Sequence, residues 1–189
     1  MKKRFVVALS GSSGAIYGVR LLEVLSKHDD VETHLIISKG ASATIAYETE
    51  YDPGSVTEMA DVVYQDGDMG AAIASGTFLI DGMVVAPCSI KTLSSIANSF
   101  NANLISRAAD VCMKERRKVV LVVRETPLHM GHLRLMSQAT ESGAVILPPV
   151  PGFYTRPASV SDIVDHTVTK VLDQFGIDAG LVERWSGLD

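Results

Sequence analysis

The feature that most constrains the fold is a short apolar run that passes through a glycine-rich loop directly into an amphipathic segment. Residues 4–10 are mainly β-branched and aliphatic, residues 11–14 are Gly-Ser-Ser-Gly, and residues 15–25 carry apolar side chains at helical spacing. This pattern predicts a strand, a tight loop and a helix. Further apolar runs alternate with helical segments along the chain, which indicates a mainly parallel sheet.

The loop between this strand and helix has the properties of an anion site. The first N–H groups of a helix lack backbone partners, and the helix dipole favours negative charge there. Gly11 and Gly14 allow a ligand to approach the backbone, and Ser12 and Ser13 add hydroxyls that can donate to phosphate oxygens. The loop therefore predicts a phosphate cradle. The alternative is a turn that only packs the helix on the sheet.

The spacing of the glycines indicates which nucleotide would fit. Gly11, Gly14 and Gly18 do not form the dinucleotide fingerprint, and the second strand ends in Ser38 where an NAD site has an acidic residue. No Lys-Ser or Lys-Thr pair follows the last glycine, so the ATP-binding loop pattern is absent. The sequence favours a mononucleotide such as FMN.

The rest of the chain continues the alternation. Other strands are predicted at residues 32–38, 61–64, 83–86, 118–124 and 144–147, with helices at 39–50, 88–98 and 104–116, and a last one from Ser159 or Ser161 to about Gly176. Pro87 is expected to end its strand, residues 52–54 to form a turn, and the proline-rich residues 148–157 to be irregular. The predicted fold is a three-layer, Rossmann-like (flavodoxin-like) α/β sheet in one domain, residues 1–189, with a tail at 177–189.

Composition limits the partners. The chain has 189 residues, 47% of them hydrophobic, and a formal net charge of −5. An acidic chain is not expected to bind nucleic acid or an anionic membrane surface. The two cysteines, Cys88 and Cys112, lack the spacing of a zinc site or a disulfide scaffold, and no apolar stretch reaches membrane length. We expect a cytoplasmic protein without a metal, in which Cys88 is a buried core residue.

Several polar residues follow predicted strands and should meet at the carboxyl edge of the sheet. Ser38 and Ser89 are expected helix caps, and Lys91 in a first helical turn is favourable only if it faces an anion; otherwise it points to solvent. Arg124 and Glu125 end the most apolar strand, where they either serve the site or neutralise each other. His129 and His132 are spaced for shared metal ligation, but without a third ligand we favour capping or surface roles.

These stretches, taken together, closely resemble the UbiX/Pad family of flavin prenyltransferases over nearly the entire chain. The resemblance is carried by the glycine-rich loop, Ser38 and the segments 87–92, 103–110, 114–117, 124–127 and 151–154. It implies a flavoprotein that joins the dimethylallyl group of dimethylallyl monophosphate to N5 and C6 of reduced FMN. The prenylated FMN would serve partner decarboxylases of the UbiD type. The family also implies a homo-oligomer, a dodecamer, with sites between subunits.

The resemblance also assigns roles to individual residues. FMN would be held by Gly11, Ser12, Ser13, Ser38, Ser89, Ile90, Lys91, Thr92 and Arg124, and the dimethylallyl phosphate by Tyr154 and Lys170. Ser13, Glu48, Arg107, Lys114, Glu125 and Trp185 would lie at the prenyl site as catalytic residues. Two positions depart from the family pattern, since Ser12 replaces an alanine of many relatives and Lys170 an arginine of some, which puts the donor preference in question.

The implied chemistry is consistent with these residue types. Breaking an allylic C–O bond leaves a cation and a phosphate, so cationic side chains would stabilise the leaving group and the faces of Tyr154 and Trp185 the carbocation. Glu125 and Ser13 would relay protons, with the released phosphate as a further base. The sequence leaves two alternatives open. One is an FMN-dependent decarboxylase of aromatic (phenylacrylic or hydroxybenzoate) acids, and the other is a non-catalytic flavin carrier.

Overall fold

The computed structural model of the protein describes residues 2–187, so three residues of the predicted 1–189 domain, 1, 188 and 189, lie outside the description. The strands are β1 (Lys3–Leu9), β2 (Val31–Ile37), β3 (Val62–Gln65), β4 (Gly82–Cys88), β5 (Lys118–Val123) and β6 (Ala144–Ile146). The helices are α1 (Ala15–Leu25), α2 (Lys39–Glu48), α3 (Pro53–Thr57), α4 (Ile90–Ala97), α5 (Leu104–Lys114), α6 (Met130–Glu141) and α7 (Val160–Asp173). No helix among residues 2–187 is long and apolar enough to span a membrane.

The six strands form one sheet in the order β3-β2-β1-β4-β5-β6, and every neighbouring pair is parallel. The predicted α/β fold with a mainly parallel, doubly wound sheet is confirmed. β4 is buried at all seven positions, as expected of a central strand that helices cover on both faces.

Alternate residues of each strand supply two separate cores. α1, α2, α3 and α7 pack against one face, around Val7, Leu22 and Val168. α4, α5 and α6 pack against the other face, around Met83 and Ile105. The three layers predicted from the sequence are therefore present, with a hydrophobic core on each side of the sheet.

The order of the strands places a crevice between β1 and β4. The chain leaves β1 toward the face that carries α1 and leaves β4 toward the face that carries α4. Where neighbouring parallel strands connect to opposite faces, their loops diverge and leave a ligand-sized opening at the carboxyl edge. The candidate site is expected in this crevice.

Three local predictions were wrong. Pro87 does not end β4; it lies at a register shift between Val85 and Cys88 against β5, where the missing N–H of proline is tolerated. Residues 52–54 open the short helix α3, because Asp52 caps it and Pro53 occupies its first turn. The proline-rich loop contains one 3-10 turn at Phe153–Thr155.

α1 lies unusually close to β4 because Gly18 faces the sheet. A Cβ atom at Gly18 would come within 2.2 Å of the Ala86 carbonyl oxygen and 2.6 Å of the Leu9 side chain. The glycine therefore allows the contact that brings the first turn of α1 to the crevice.

We expect Gly18→Ala to lower the free energy of unfolding by about 1–3 kcal/mol, because the added methyl group must push α1 away from β4. Gly67→Ala is the matched control, since a Cβ atom there meets nothing within 4 Å. Urea unfolding of both variants tests this, and equal midpoints would contradict the close contact.

Candidate functional site

A buried serine joins the two strands on either side of the crevice. The Ser10 hydroxyl donates to the carbonyl oxygen of Pro87 at 2.9 Å and accepts from the N–H of Ser89 at 2.8 Å. Ser10 is 2% exposed, so both bonds are shielded from water. They fix the start of α4 relative to the glycine-rich loop. Sequence reasoning missed this role because Ser10 reads only as the last residue of an apolar run.

The first turn of α1 already holds a carboxylate. Glu48, the last residue of α2, accepts hydrogen bonds from the N–H groups of Gly14 at 2.7 Å and Ala15 at 3.4 Å. Partial burial raises the pKa of the Glu48 carboxyl, but hydrogen bonds from Gly14, Ser13 and Ala15 and the charge of Arg124 outweigh it, so this pKa lies below its usual range. The phosphate cradle predicted at this turn is thus occupied by a side chain of the protein.

No carboxylate of residues 2–187 accepts a hydrogen bond from the first turn of α4. Ser89 caps this helix by accepting from the Thr92 N–H at 3.3 Å, and its hydroxyl donates to the Thr92 hydroxyl at 3.1 Å. Ile90 is half-buried, whereas the Lys91 side chain is exposed. A lysine beside free N–H groups at a helix start favours an anion there.

The loops after β1 and β2 touch each other beside this crevice. A Cβ atom at Gly11 would lie 2.9 Å from the Cα of Gly40, so only glycine allows the two loops to approach so closely. Ser38 caps α2 by accepting from the Ala41 N–H at 3.1 Å, as the sequence predicts. Gly11 and Ser38 therefore lie together at the carboxyl edge.

Two buried polar atoms at this edge have no hydrogen-bond partner among the described residues. They are Ser12 Oγ and Arg124 Nε. Buried polar groups are normally paired, so these two atoms are available to a ligand that enters the crevice. Arg124 lines a cleft of about 480 Å³ whose other walls are Ser13, Gly14, Ile16, Tyr17, Glu48, Pro149, Val160 and Val164.

Glu125 is exposed next to Arg124 at the end of β5. Its carboxylate accepts a hydrogen bond from the Thr126 N–H at 3.1 Å. Within residues 2–187 no ion pair joins Glu125 to Arg124, so mutual neutralisation, the alternative considered from the sequence, is not what this structure contains.

A second group of predicted residues lies along α7. Tyr154 and Trp185 meet edge to face with ring centroids 5.8 Å apart, and both border a cavity of about 400 Å³ formed with the C-terminal tail. Lys170 projects from α7 and lies 3.7 Å from the Asp173 carboxylate. Trp185, in the tail, therefore packs on Tyr154 of the proline-rich loop of its own chain while remaining exposed on its other side.

Arg107 and Lys114 lie apart from both groups in this chain. Arg107 donates to the carbonyl oxygen of Ala74 at 3.2 Å and pairs with Asp110 at 3.3 Å. Lys114 pairs with Glu115 close to Gly76, in the loop that leads to the amino end of β4. One chain does not bring these two cations to the crevice, so their predicted role stays a prediction that requires a second copy.

The two cysteines and the pair His129 and His132 have structural roles in this chain. Both cysteines are buried and free, and burial raises the pKa of Cys88 far above that of an ordinary thiol and the pKa of Cys112 to about 12. His129 caps α6 by accepting from the Gly131 N–H at 3.0 Å, with its ring 3.6 Å from that of His132. In residues 2–187 no group of three or more metal-binding side chains occurs.

Comparison with known proteins gives a consistent result. A family model described as Flavoprotein matches residues 1–172. Flavin prenyltransferase UbiX of Thauera aromatica is 60% identical over 184 residues, which cover 97% of this chain and 94% of that protein. AnUbiX (PadA1) in complex with FMN and dimethylallyl pyrophosphate has a TM-score of 0.97 at 50% identity, covering 100% of both chains. A dodecameric FMN-dependent UbiX-like decarboxylase from Escherichia coli O157:H7 has a TM-score of 0.96 at 46% identity, covering 97% of this chain and 100% of that one.

We expect Ser10→Ala to lower the free energy of unfolding by about 1–3 kcal/mol, because the buried N–H of Ser89 loses its acceptor. Ser26→Ala is the matched control; its hydroxyl donates to the Glu23 carbonyl at an exposed helix end, so its effect should stay within about 0.5 kcal/mol. Urea unfolding at fixed protein concentration measures both. A Ser10 variant as stable as the Ser26 variant would show that the bridge contributes little.

We expect the stability difference between the protein and Glu48→Gln to depend on pH. The pKa of Glu48 is lower in the folded protein than in the unfolded chain, so the ionised carboxylate stabilises the fold. This stabilisation is fully present above the carboxyl pKa of the unfolded chain, about 4.3, and is lost as the pH falls through the pKa of the folded protein. Urea midpoints should therefore differ at neutral pH and converge in acid. Glu50→Gln, which removes the same charge two residues later, controls for net charge, and a gap that persists in acid would rule out this account.

Proposed function

We propose, because the chain belongs to the flavoprotein family and within it to the UbiX flavin prenyltransferases, that it transfers the dimethylallyl group of dimethylallyl monophosphate to N5 and C6 of reduced FMN. The product, prenylated FMN, would serve as cofactor of a UbiD-type decarboxylase. A similar solved structure, that of AnUbiX (PadA1), supports the proposal because it is a complex with FMN and dimethylallyl pyrophosphate. The proposal includes a cytoplasmic location, in line with the two free cysteines.

The observation that carries the proposal is the pair of buried, unpartnered atoms at the carboxyl edge, Ser12 Oγ and Arg124 Nε. An FMN molecule offers phosphate and ring acceptors that would satisfy such donors. Because Gly11 and Gly40 have no side chains, the surface that they form at the same edge is backbone, which a ligand can approach closely. The residues present therefore fit this flavin.

The two helix starts at the crevice suggest how the flavin would be oriented. The α1 start already holds the Glu48 carboxylate, whereas the α4 start has free N–H groups beside Lys91. We therefore assign the FMN phosphate to the turn Ser89, Ile90, Lys91 and Thr92, with Ser38 alongside. Gly11, Ser12, Ser13 and Arg124 would hold the rest of the molecule.

Bound reduced FMN supplies the nucleophile for the allylic donor, and the residues of the chain supply charge and protons. Tyr154 and Lys170 would bind the donor phosphate and stabilise its negative charge as it leaves. The Tyr154 and Trp185 rings, in contact at 5.8 Å, offer aromatic faces to a carbocation. Glu48, whose pKa is lowered, is ionised at neutral pH beside Ser13 and could accept a proton there, while Glu125 and Ser13 would relay protons.

The proposed site is completed by other copies of the chain. Within residues 2–187, Arg107 contacts Ala74 and Asp110, and Lys114 contacts Glu115, so we assign the positive charge of both to a neighbour's site. The E. coli O157:H7 structure is described as dodecameric. Large exposed apolar side chains support such an assembly here, since Tyr47, Phe100, Val150, Phe153 and Trp185 are all well exposed in the single chain.

We expect the protein, incubated with reduced FMN and dimethylallyl monophosphate, to yield a flavin heavier by one C5 unit in a mass spectrum. Lys170→Ala and Glu125→Gln should retain FMN binding, measured by flavin fluorescence, and lose turnover on the order of a hundredfold. Lys27→Ala and Glu58→Gln remove the same charges at exposed positions on other surfaces and should remain active.

Two other outcomes would replace the proposal. Release of carbon dioxide from a phenylacrylate or hydroxybenzoate by the protein alone, without a flavin adduct, would favour the decarboxylase that the E. coli O157:H7 structure is called. FMN binding with neither reaction, and no effect of Lys170→Ala or Glu125→Gln, would favour a flavin carrier.

A further inference from the structure

Tyr154 is held in one orientation although it is 59% exposed on an irregular loop. Its ring meets His166 and Trp185 edge to face, with centroids 5.7 and 5.8 Å apart. Its hydroxyl lies 3.0 Å from Nε2 of His166. A tyrosine so exposed would normally be free to rotate, and these three contacts on two sides of the ring prevent it.

His166 is itself fixed by its surroundings. A Cβ atom at Gly152 would lie 3.1 Å from the His166 ring and 3.0 Å from the Tyr154 ring, so the loop backbone packs against both. The preceding residue, Asp165, accepts two hydrogen bonds from Arg20 of α1, at 2.7 and 3.2 Å. The ring of His166 therefore rests on a helix that is tied to the rest of the domain.

The direction of the hydrogen bond follows from what Tyr154 must do in the proposed function. A phosphate dianion only accepts hydrogen bonds, and a phenol has one hydrogen to donate. If His166 accepted that hydrogen, Tyr154 would have none left for the phosphate. Lys170 follows His166 by four residues and therefore shares its face of α7, and His166 contacts Tyr154, the other residue assigned to the donor.

We propose that His166 is a positioning residue: it donates from Nε2 to the Tyr154 oxygen and leaves the phenol hydrogen free for the phosphate of the dimethylallyl donor. This inference rests on the proposed function and assigns to His166 no contact with the donor. Both the Nε2–H tautomer and the imidazolium provide the required donor.

Steady-state kinetics with dimethylallyl monophosphate and saturating reduced FMN tests the proposal. We expect His166→Ala to raise the KM for the donor about threefold to tenfold with a smaller change in kcat, because a binding interaction is weakened in ground and transition states alike. His166→Gln keeps an N–H donor and should restore the KM to within about twofold. FMN affinity should not change, and His28→Ala controls for the loss of an imidazole.

A double-mutant cycle with Tyr154→Phe separates positioning from direct contact. If His166 acts through the Tyr154 hydroxyl, His166→Ala adds no further rise in KM on the Tyr154→Phe background. Additive effects would mean that His166 contacts the donor itself, and this overturns the proposal. An unchanged KM in His166→Ala, or no rescue by glutamine, overturns it as well. If the unsubstituted protein forms no prenylated flavin, the proposed function fails and this inference falls with it.

Discussion

Everything at the proposed site depends on the divergence of the chain after β1 and β4, two neighbouring parallel strands. Their loops leave toward opposite faces of the sheet, and this opens the crevice. The Ser10 hydroxyl spans the opening, since it contacts the backbone of both Pro87 and Ser89. The position of the start of α4 is thus set by a hydrogen bond to the residue that directly follows β1. The hydrogen bonds of Ser10 therefore hold the crevice in shape, although its two walls are the loops after different strands.

The two helix starts at the crevice interact with different anions. One binds a carboxylate of the protein, and we assign the other to the phosphate of a ligand. Two of the helices that begin at this edge, α1 and α4, flank the crevice, and the first turn of each offers N–H groups to an anion. At α1 the anion is the Glu48 carboxylate, which keeps its charge because those N–H groups lower its pKa. At α4 the position beside Lys91 is left for a ligand. One kind of local structure thus serves a carboxylate at one point and, in our proposal, a phosphate at the other.

The proposed site for the allylic donor is formed by loop residues packed beside α7 rather than by the edge of the sheet. Trp185 contacts Tyr154, and Tyr154 in turn contacts His166 of α7, so the two aromatic rings have a defined arrangement beside this helix. Arg107 and Lys114 remain outside both regions of their own chain. The rigid sheet edge would therefore hold the flavin, loops anchored on α7 would hold the donor, and neighbouring copies would add charge.

Sequence reasoning predicted the layers, the parallel strands and the caps at Ser38 and Ser89, because apolar periodicity and capping chemistry are local properties. It also predicted, by resemblance, which residues to consider at the site. It was wrong where distant contacts decide, since Pro87 stays within β4 at a register shift. Nor did it predict that Glu48, 34 residues after Gly14, accepts a hydrogen bond from the turn predicted for phosphate. The roles of Ser10 and His166 were not predicted either, because each depends on a partner that only the tertiary structure brings within 3 Å. A local pattern identifies a helix start that can bind an anion, and the folded chain determines which anion reaches it.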